Sequence, residues 1–150
     1  MSGIKKVKRF NQIEIHSSLI EKLETVKARL QSDKYHELFI AEKDGKAIAL
    51  VFSWLNPFHP SAKYIQFFVS KELEKKVCMD KLFDSILKNT SSQDKWIYSC
   101  YSNEKVNIDF IEEKEFQLFR KTFEEIFEVE WMLQHLDIKP LGITVDTLKK

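Results

Sequence analysis

The period of the apolar residues changes several times along this chain, and each change marks an element. Ile4 to Phe10 sets irregular apolar members (Ile4, Val7, Phe10) among basic residues, a weak strand signal. Ser18-x-x-Glu21 then has capping-box spacing, and Leu19, Ile20, Leu23, Val26 and Leu30 recur at helical intervals, predicting one helix to about Gln31. Glu37 to Lys43 reads as a strand, Asp44-Gly45 as a hairpin turn, and Lys46 to Leu55 as a second strand apolar enough to be central in a sheet. Asn56-Pro57 and His59-Pro60 predict a loop, because the residue before a proline is pushed out of the helical region. Lys63 to Ser70 is a third strand rich in Tyr, Ile, Phe and Val.

Leu73 to Asn89 places Val77, Leu82, Phe83, Ile86 and Leu87 on one face of an amphipathic helix. A polar loop from Thr90 to Asp94 leads to a strand, Trp96 to Tyr101, and a short helix over about Glu104 to Glu113. Beyond it, Phe127, Val129, Trp131 and Leu133 alternate with Glu128, Glu130 and Met132. That alternation favours a hairpin across Phe116 to Leu133. The Glu-rich helix formers, with no Gly or Asn near Glu124-Glu125, leave a helix open. Ile143-Thr144-Val145 is an isolated strand-like patch in the tail after Pro140.

Composition narrows the classes. With 43% hydrophobic and 31% charged residues the chain is not of the disordered type, and 150 residues suit one domain. A net charge of +1 supplies no global field for nucleic acid or an acidic membrane. The one basic cluster, Lys5, Lys6, Lys8 and Arg9, has no interleaved aromatic platform and reads as a solvated strand edge. The longest apolar stretch, Ala47 to Leu55, is far short of the ~20 residues of a spanning helix. Met1 to Phe10 lacks the apolar core of a secretory signal, and Cys78 and Cys100 form no disulfide framework, so a cytoplasmic location is expected. His16, His36, His59 and His135 have no ligand spacing, so no metal site is expected.

The order strand, helix, three strands, helix, strand, helix and two more strands resembles the GNAT acetyltransferase superfamily, over about residues 4 to 134. Phe67-Phe68-Val69 ends the third strand where the family has a strand ending in Val. Ser70 to Leu73 makes the turn, and the helix from about Glu74 stands where the family's Arg/Gln-x-x-Gly-x-Gly/Ala loop opens its long helix. Ile97 to Tyr101 matches the later strand, Asn103 takes the family's Asn position, and Glu115-Phe116 its Gly-Phe position. The resemblance implies an α/β domain over residues 1–137 with a tail over 138–150. Its core would be a mixed, mostly antiparallel sheet of about six to seven strands flanked by helices. It further implies an N-acetyltransferase that moves an acetyl group from acetyl-CoA, as co-substrate, to an amine on a small molecule or peptide.

The departures from the family pattern bear on that activity. Glu74 replaces the Arg/Gln, while Val77 and Met79 replace the two small residues whose backbone approaches the pyrophosphate at a positive helix end. Lys75 and Lys76 would offset the carboxylate, and the bulk of Val77 and Met79 is expected to obstruct the phosphate. The Tyr that serves many members as acid falls on Phe110 or Ile111, neither of which has an ionisable proton. No Asp or Glu lies on the third strand, and Tyr101 is the substitute proton carrier.

The family splays its third strand from the next so that main chain holds the acyl group, and main chain from Phe67 to Ser70 suffices for that. The candidate cofactor-binding residues are thus Phe67, Phe68, Val69, Lys75, Lys76, Val77, Cys78, Met79 and Asn103. Cys78 reads as a buried small hydrophobe whose place near a helix N-terminus would lower a thiol pKa. Trp54, Phe58 and His59 read as sheet-edge packing or as the wall of an acceptor pocket. The losses at the loop and the Tyr position leave a second reading, a catalytically silent binding or dimerising module. The aromatic segment Phe116 to Leu133 and the tail are compatible with a homodimer.

Overall fold

The computed structural model describes residues 3–71, 74–91 and 93–118. The segment on which the hairpin, the tail and most of the expected sixth and seventh strands fall lies outside the described residues. Among the described residues five strands form one sheet in the order β1-β2-β3-β4-β5: Ile4–Lys6, Glu37–Lys43, Lys46–Asn56, His59–Val69 and Lys95–Tyr98. The first three pairings are antiparallel and β4 with β5 is parallel, which makes the sheet mixed.

Both faces of β2 and β3 are buried, which is why their sequences are near-continuous apolar runs. Phe39, Ala41, Ala49 and Val51 point to one face, with Ile65, Phe67 and Val69 of β4. There they meet α3 (Lys75–Leu87) and α4 (Lys105–Glu113). Leu38, Ile40, Leu50 and Phe52 point to the other face and meet Phe10, Leu19, Leu23 and Leu30 of the N-terminal helical segment. Period-2 alternation of two apolar sets thus yields a three-layer domain.

The N-terminal helix is not the continuous rod its periodicity predicts. It is α1 (Ser17–Ile20), a 3-10 turn (Glu21–Leu23) and α2 (Lys27–Gln31). The break falls at Thr25-Val26, two β-branched residues, where Val26 takes φ −117° and ψ −1°. The bend lets Leu19, Leu23 and Leu30 all reach the sheet while Ile20 stays exposed. The expected capping box is replaced as well: His16 is the N-cap, its Nδ1 accepting from the Ser18 amide at 3.3 Å.

One turn confirms its chemistry and one changes. Asp44 and Gly45 both have positive φ (52° and 79°), as a type I′ hairpin turn requires. The loop expected over 56–60 is instead a tight hairpin turn at Pro57-Phe58, with Asn56 opposite His59 and the Asn56 Oδ1 accepting from the Phe58 amide at 3.0 Å. Proline presets the turn and the asparagine closes it, so β3 and β4 extend further than their apolar runs. β1 is shorter than expected, because Phe10 leaves the ladder in a 3-10 turn to enter the second core. Its basic residues pair across the ladder, Lys5 with Glu42 at 2.6 Å and Lys6 with Glu37 at 2.8 Å.

The end of α4 explains Glu115-Phe116. The Phe116 amide donates to the Ile111 carbonyl at 2.9 Å and the Glu115 amide to Glu112 at 3.1 Å, with Glu115 at φ +58°. This is a Schellman cap, completed by Phe116 and Ile111 packing on the core. A residue with a Cβ is strained there, so Glu115→Gly is expected to raise stability by about 1 kcal/mol, read as an upward shift of the urea midpoint at constant slope.

Candidate functional site

The β4–β5 pairing runs through Ala62↔Lys95, Lys63↔Trp96, Tyr64↔Ile97 and Ile65↔Tyr98, then stops. β4 continues for four residues that, among the described residues, pair with β3 alone, from Gln66↔Phe52 to Val69↔Ala49. The chain after Tyr98 meanwhile leaves toward α4. Between the parted ends lies a cleft of about 380 Å³, walled by Gln66 to Val69 on one side and Tyr98 to Tyr101 on the other. Lys22, Lys75, Glu104 and Asn107 complete it. The carboxyl ends of parallel strands are where α/β sheets generally hold ligands, and this volume lies in the range of small-molecule sites.

The main chain of β4 supplies the polar wall. Ser70 donates its amide to Ile48 on β3 at 2.8 Å. Facing alternates residue by residue along an antiparallel ladder, so Phe67 and Val69 turn their N–H and C=O groups to the β5 side, past the last paired residue. The Val69 carbonyl accepts a 2.7 Å hydrogen bond from Lys22 Nζ, reaching across from the 3-10 turn between α1 and α2. The bend at Thr25-Val26 belongs to the same segment that brings this lysine to the sheet.

Opposite, Glu104 opens α4. Its Oε2 accepts from the Tyr101 amide at 3.0 Å and from Asn107 Nδ2 at 2.7 Å. That bond fixes the Asn107 amide, and its buried Oδ1 has no hydrogen-bond partner among the described residues. Tyr98 packs edge-on against Phe67 and Phe110, with centroids at 5.5 and 6.1 Å. Burial first, then the charges of Cys100 and Glu104, hold its phenol well above the ordinary value, so it stays protonated. The Cys100 thiol is also pushed up, by burial and then by Glu104, against the opposing effect of Lys75.

The structure gathers Phe67, Phe68, Val69, Lys75 and Tyr101 from the expected site residues into this cleft. The rest point elsewhere. Lys76 is paired with Glu113 at 2.6 Å and Asp80 at 3.4 Å, which ties α3 to α4 and raises its pKa. Val77 is 55% exposed on the outer face of α3. Cys78 and Met79 are buried against the sheet, so they, rather than Val77 and Leu87, belong to the apolar stripe with Leu82, Phe83 and Ile86. The steric block expected from Met79 is therefore absent, since its side chain is turned into the core. Burial and then Glu74 raise the Cys78 thiol, overriding the lowering expected at a helix start.

Asn103 is exposed in the turn before α4 and is not part of the cleft wall; Glu104 and Asn107 are. Phe110 is fully buried in the aromatic core. Phe58 and His59 sit at the far end of β4, about 33 Å along the strand from Val69, and Trp54, opposite Tyr64, about half as far; none of the three lines the cleft. Trp54 stacks on Phe52 and Tyr64 under the Arg29 guanidinium, while Phe58 stands 87% exposed at the turn. The residues that sequence reasoning missed (Lys22, Tyr98, Glu104, Asn107) carry no local motif, and only the parting of the strands unites them. Among the described residues no group of three or more His, Cys, Asp or Glu could hold a metal ion, and no helix is long and apolar enough to cross a membrane.

No protein-family model matches the chain, and no curated protein matches it in sequence. Solved structures match its fold. One is a GNAT-family acetyltransferase from Streptococcus pneumoniae TIGR4, with a TM-score of 0.59 at 14% identity over 83% of this chain and 97% of that one. A second is an aminoglycoside acetyltransferase from an uncultured soil metagenomic sample, with a TM-score of 0.58 at 12% identity over 83% and 93%. A third is the aminoglycoside N-acetyltransferase AAC(6')-Iy in complex with CoA, with a TM-score of 0.54 at 16% identity over 83% and 96%. The α/β architecture and the parted strands together define the class: this chain has the GNAT acetyltransferase fold.

Proposed function

We propose that this protein is an N-acetyltransferase that takes an acetyl group from acetyl-CoA to a primary amine. The observation that carries the reading is the parting of β4 and β5 beyond Ile65↔Tyr98, which turns the main chain of Phe67 and Val69 to a cleft. An extended acyl-pantetheine is a chain of amides, and a strand edge is the surface that pairs with one. The cleft also fits at its phosphate side. Lys75 begins α3, and the first-turn amides with this lysine favour an anion. The fold match to an acetyltransferase in complex with CoA supports the same ligand.

Within this reading the residues divide the work. The Phe67 and Val69 amides polarise the thioester carbonyl. The Glu104 carboxylate, fixed by Tyr101 and Asn107, draws an ammonium acceptor and takes its proton. The more exposed Tyr101 is the phenol that can protonate the departing thiolate; Tyr98, its pKa raised by burial, is too weak an acid for that step. The burial of Phe110 favours a second reading, a silent module that keeps the cleft without the chemistry.

Titration with acetyl-CoA, followed by calorimetry and melting, separates the outcomes. A saturable heat with a rise in melting temperature is expected, since a ligand that binds only the folded state stabilises it. No response at millimolar acetyl-CoA would remove the proposal. Binding without release of CoA thiol to any primary amine would leave the silent module.

A further inference from the structure

Lys22 lines the cleft where the acyl group would lie, and its ammonium already sits on the polar wall, 2.7 Å from the Val69 carbonyl oxygen. It comes from a different element than the strands that form the wall, and its backbone is fixed by the 3-10 turn whose Leu23 is anchored in the core. Lys75 also lines the cleft, but from the first residue of α3, on the side that faces phosphate. An amine pinned to the main chain that binds a thioester has a high effective concentration toward it.

We infer that Lys22 is itself an acyl acceptor, so that the protein acetylates its own cleft when no other amine is present. The inference rests on the acetyl-CoA reading above. In the step, Lys22 first loses a proton to solvent and its neutral Nζ attacks the thioester carbonyl carbon. The Nζ–C bond forms and the C–S bond breaks. Sulfur leaves with the bonding pair and takes up the second proton released from Nζ, so the products are an amide on Lys22 and CoA thiol. The modification removes one positive charge from the cleft and leaves Nζ with a single N–H where it now donates to Val69.

The test uses the whole chain incubated with acetyl-CoA, natively and in urea, with peptide mapping by mass spectrometry over time. Lys22 is expected to gain acetyl faster than the exposed Lys8, Lys34 and Lys88 by on the order of tenfold or more. The difference should vanish in urea, where the cleft is lost. Lys22→Arg, which keeps the charge and has no acylable amine, should lose the fast incorporation while the slow labelling of Lys8, Lys34 and Lys88 continues at its former rate. A clear binding heat with Lys22 modified no faster than the outside lysines, or with Lys75 labelled in its place, would overturn the inference alone. Absence of any heat would instead overturn the acetyl-CoA reading on which it stands.

Discussion

Met79→Gly is expected to cost about 3–5 kcal/mol of stability, combining the loss of a buried side chain with the poor helix propensity of glycine. The family pattern places a small residue at this position, which suggests the opposite, a repaired phosphate loop. The structure decides between them. Met79 is 0% exposed, beneath α3 and against the sheet with Cys78, Leu82 and Phe83. Removing it opens a cavity in the first core and leaves the cleft unchanged. A fall in melting temperature on the order of 10 °C, with no gain in acetyl-CoA affinity, is the predicted result. A variant that kept its melting temperature and bound acetyl-CoA more tightly would show Met79 to be a steric plug after all. Val77→Gly alone, on the exposed face, should cost roughly 1 kcal/mol.

The second large effect concerns the main chain of the cleft. Val69→Pro removes one N–H, the one turned away from β3, while Ser70 keeps its bond to Ile48 and the β3–β4 ladder survives. If that amide polarises the thioester, thiol release from acetyl-CoA should fall by a factor on the order of 10²–10³. Circular dichroism and thermal melting of the variant check that the sheet persists. Turnover within about threefold of the parent protein, less than the loss of an oxyanion donor allows, would show that the acyl group is held elsewhere.

The Lys22 and Glu104 assignments give the cleft an internal logic. A lysine from the N-terminal segment and a carboxylate from the start of α4 line the same cleft, with the Asn107 amide held by that carboxylate. Asn107 Oδ1 is buried without a hydrogen-bond partner among the described residues, beside the Nδ2 that Glu104 holds.

Much of the architecture was legible residue by residue. Asp44-Gly45 demanded a hairpin, the runs Leu38 to Ala41 and Ala47 to Ser53 demanded a central pair of strands, and the Glu115-Phe116 position proved to need a left-handed residue even without glycine. Local rules succeed there because a turn, a strand face or a helix cap is decided within a few residues. They fail where distant contacts choose between equivalent local options. Periodicity could not say that the N-terminal helix bends at Thr25-Val26, because the apolar stripe of a bent helix and a straight one read alike. It also assigned Val77 and Leu87 to the core in place of Cys78 and Met79, an error in the angle at which α3 lies on the sheet.

The sequence by itself determined the order of elements as far as α4, the apolar identity of β2 and β3, the type I′ turn and the strand that ends in Phe67-Phe68-Val69. All of these depend on backbone preferences and side-chain periods that are local. Only the tertiary structure decided that β4 and β5 part after Ile65 and Tyr98, and that Lys22, Lys75, Tyr98, Glu104 and Asn107 meet there. Those residues come from four separate segments of the chain, and their meeting is set by how two helical layers pack on a twisted sheet.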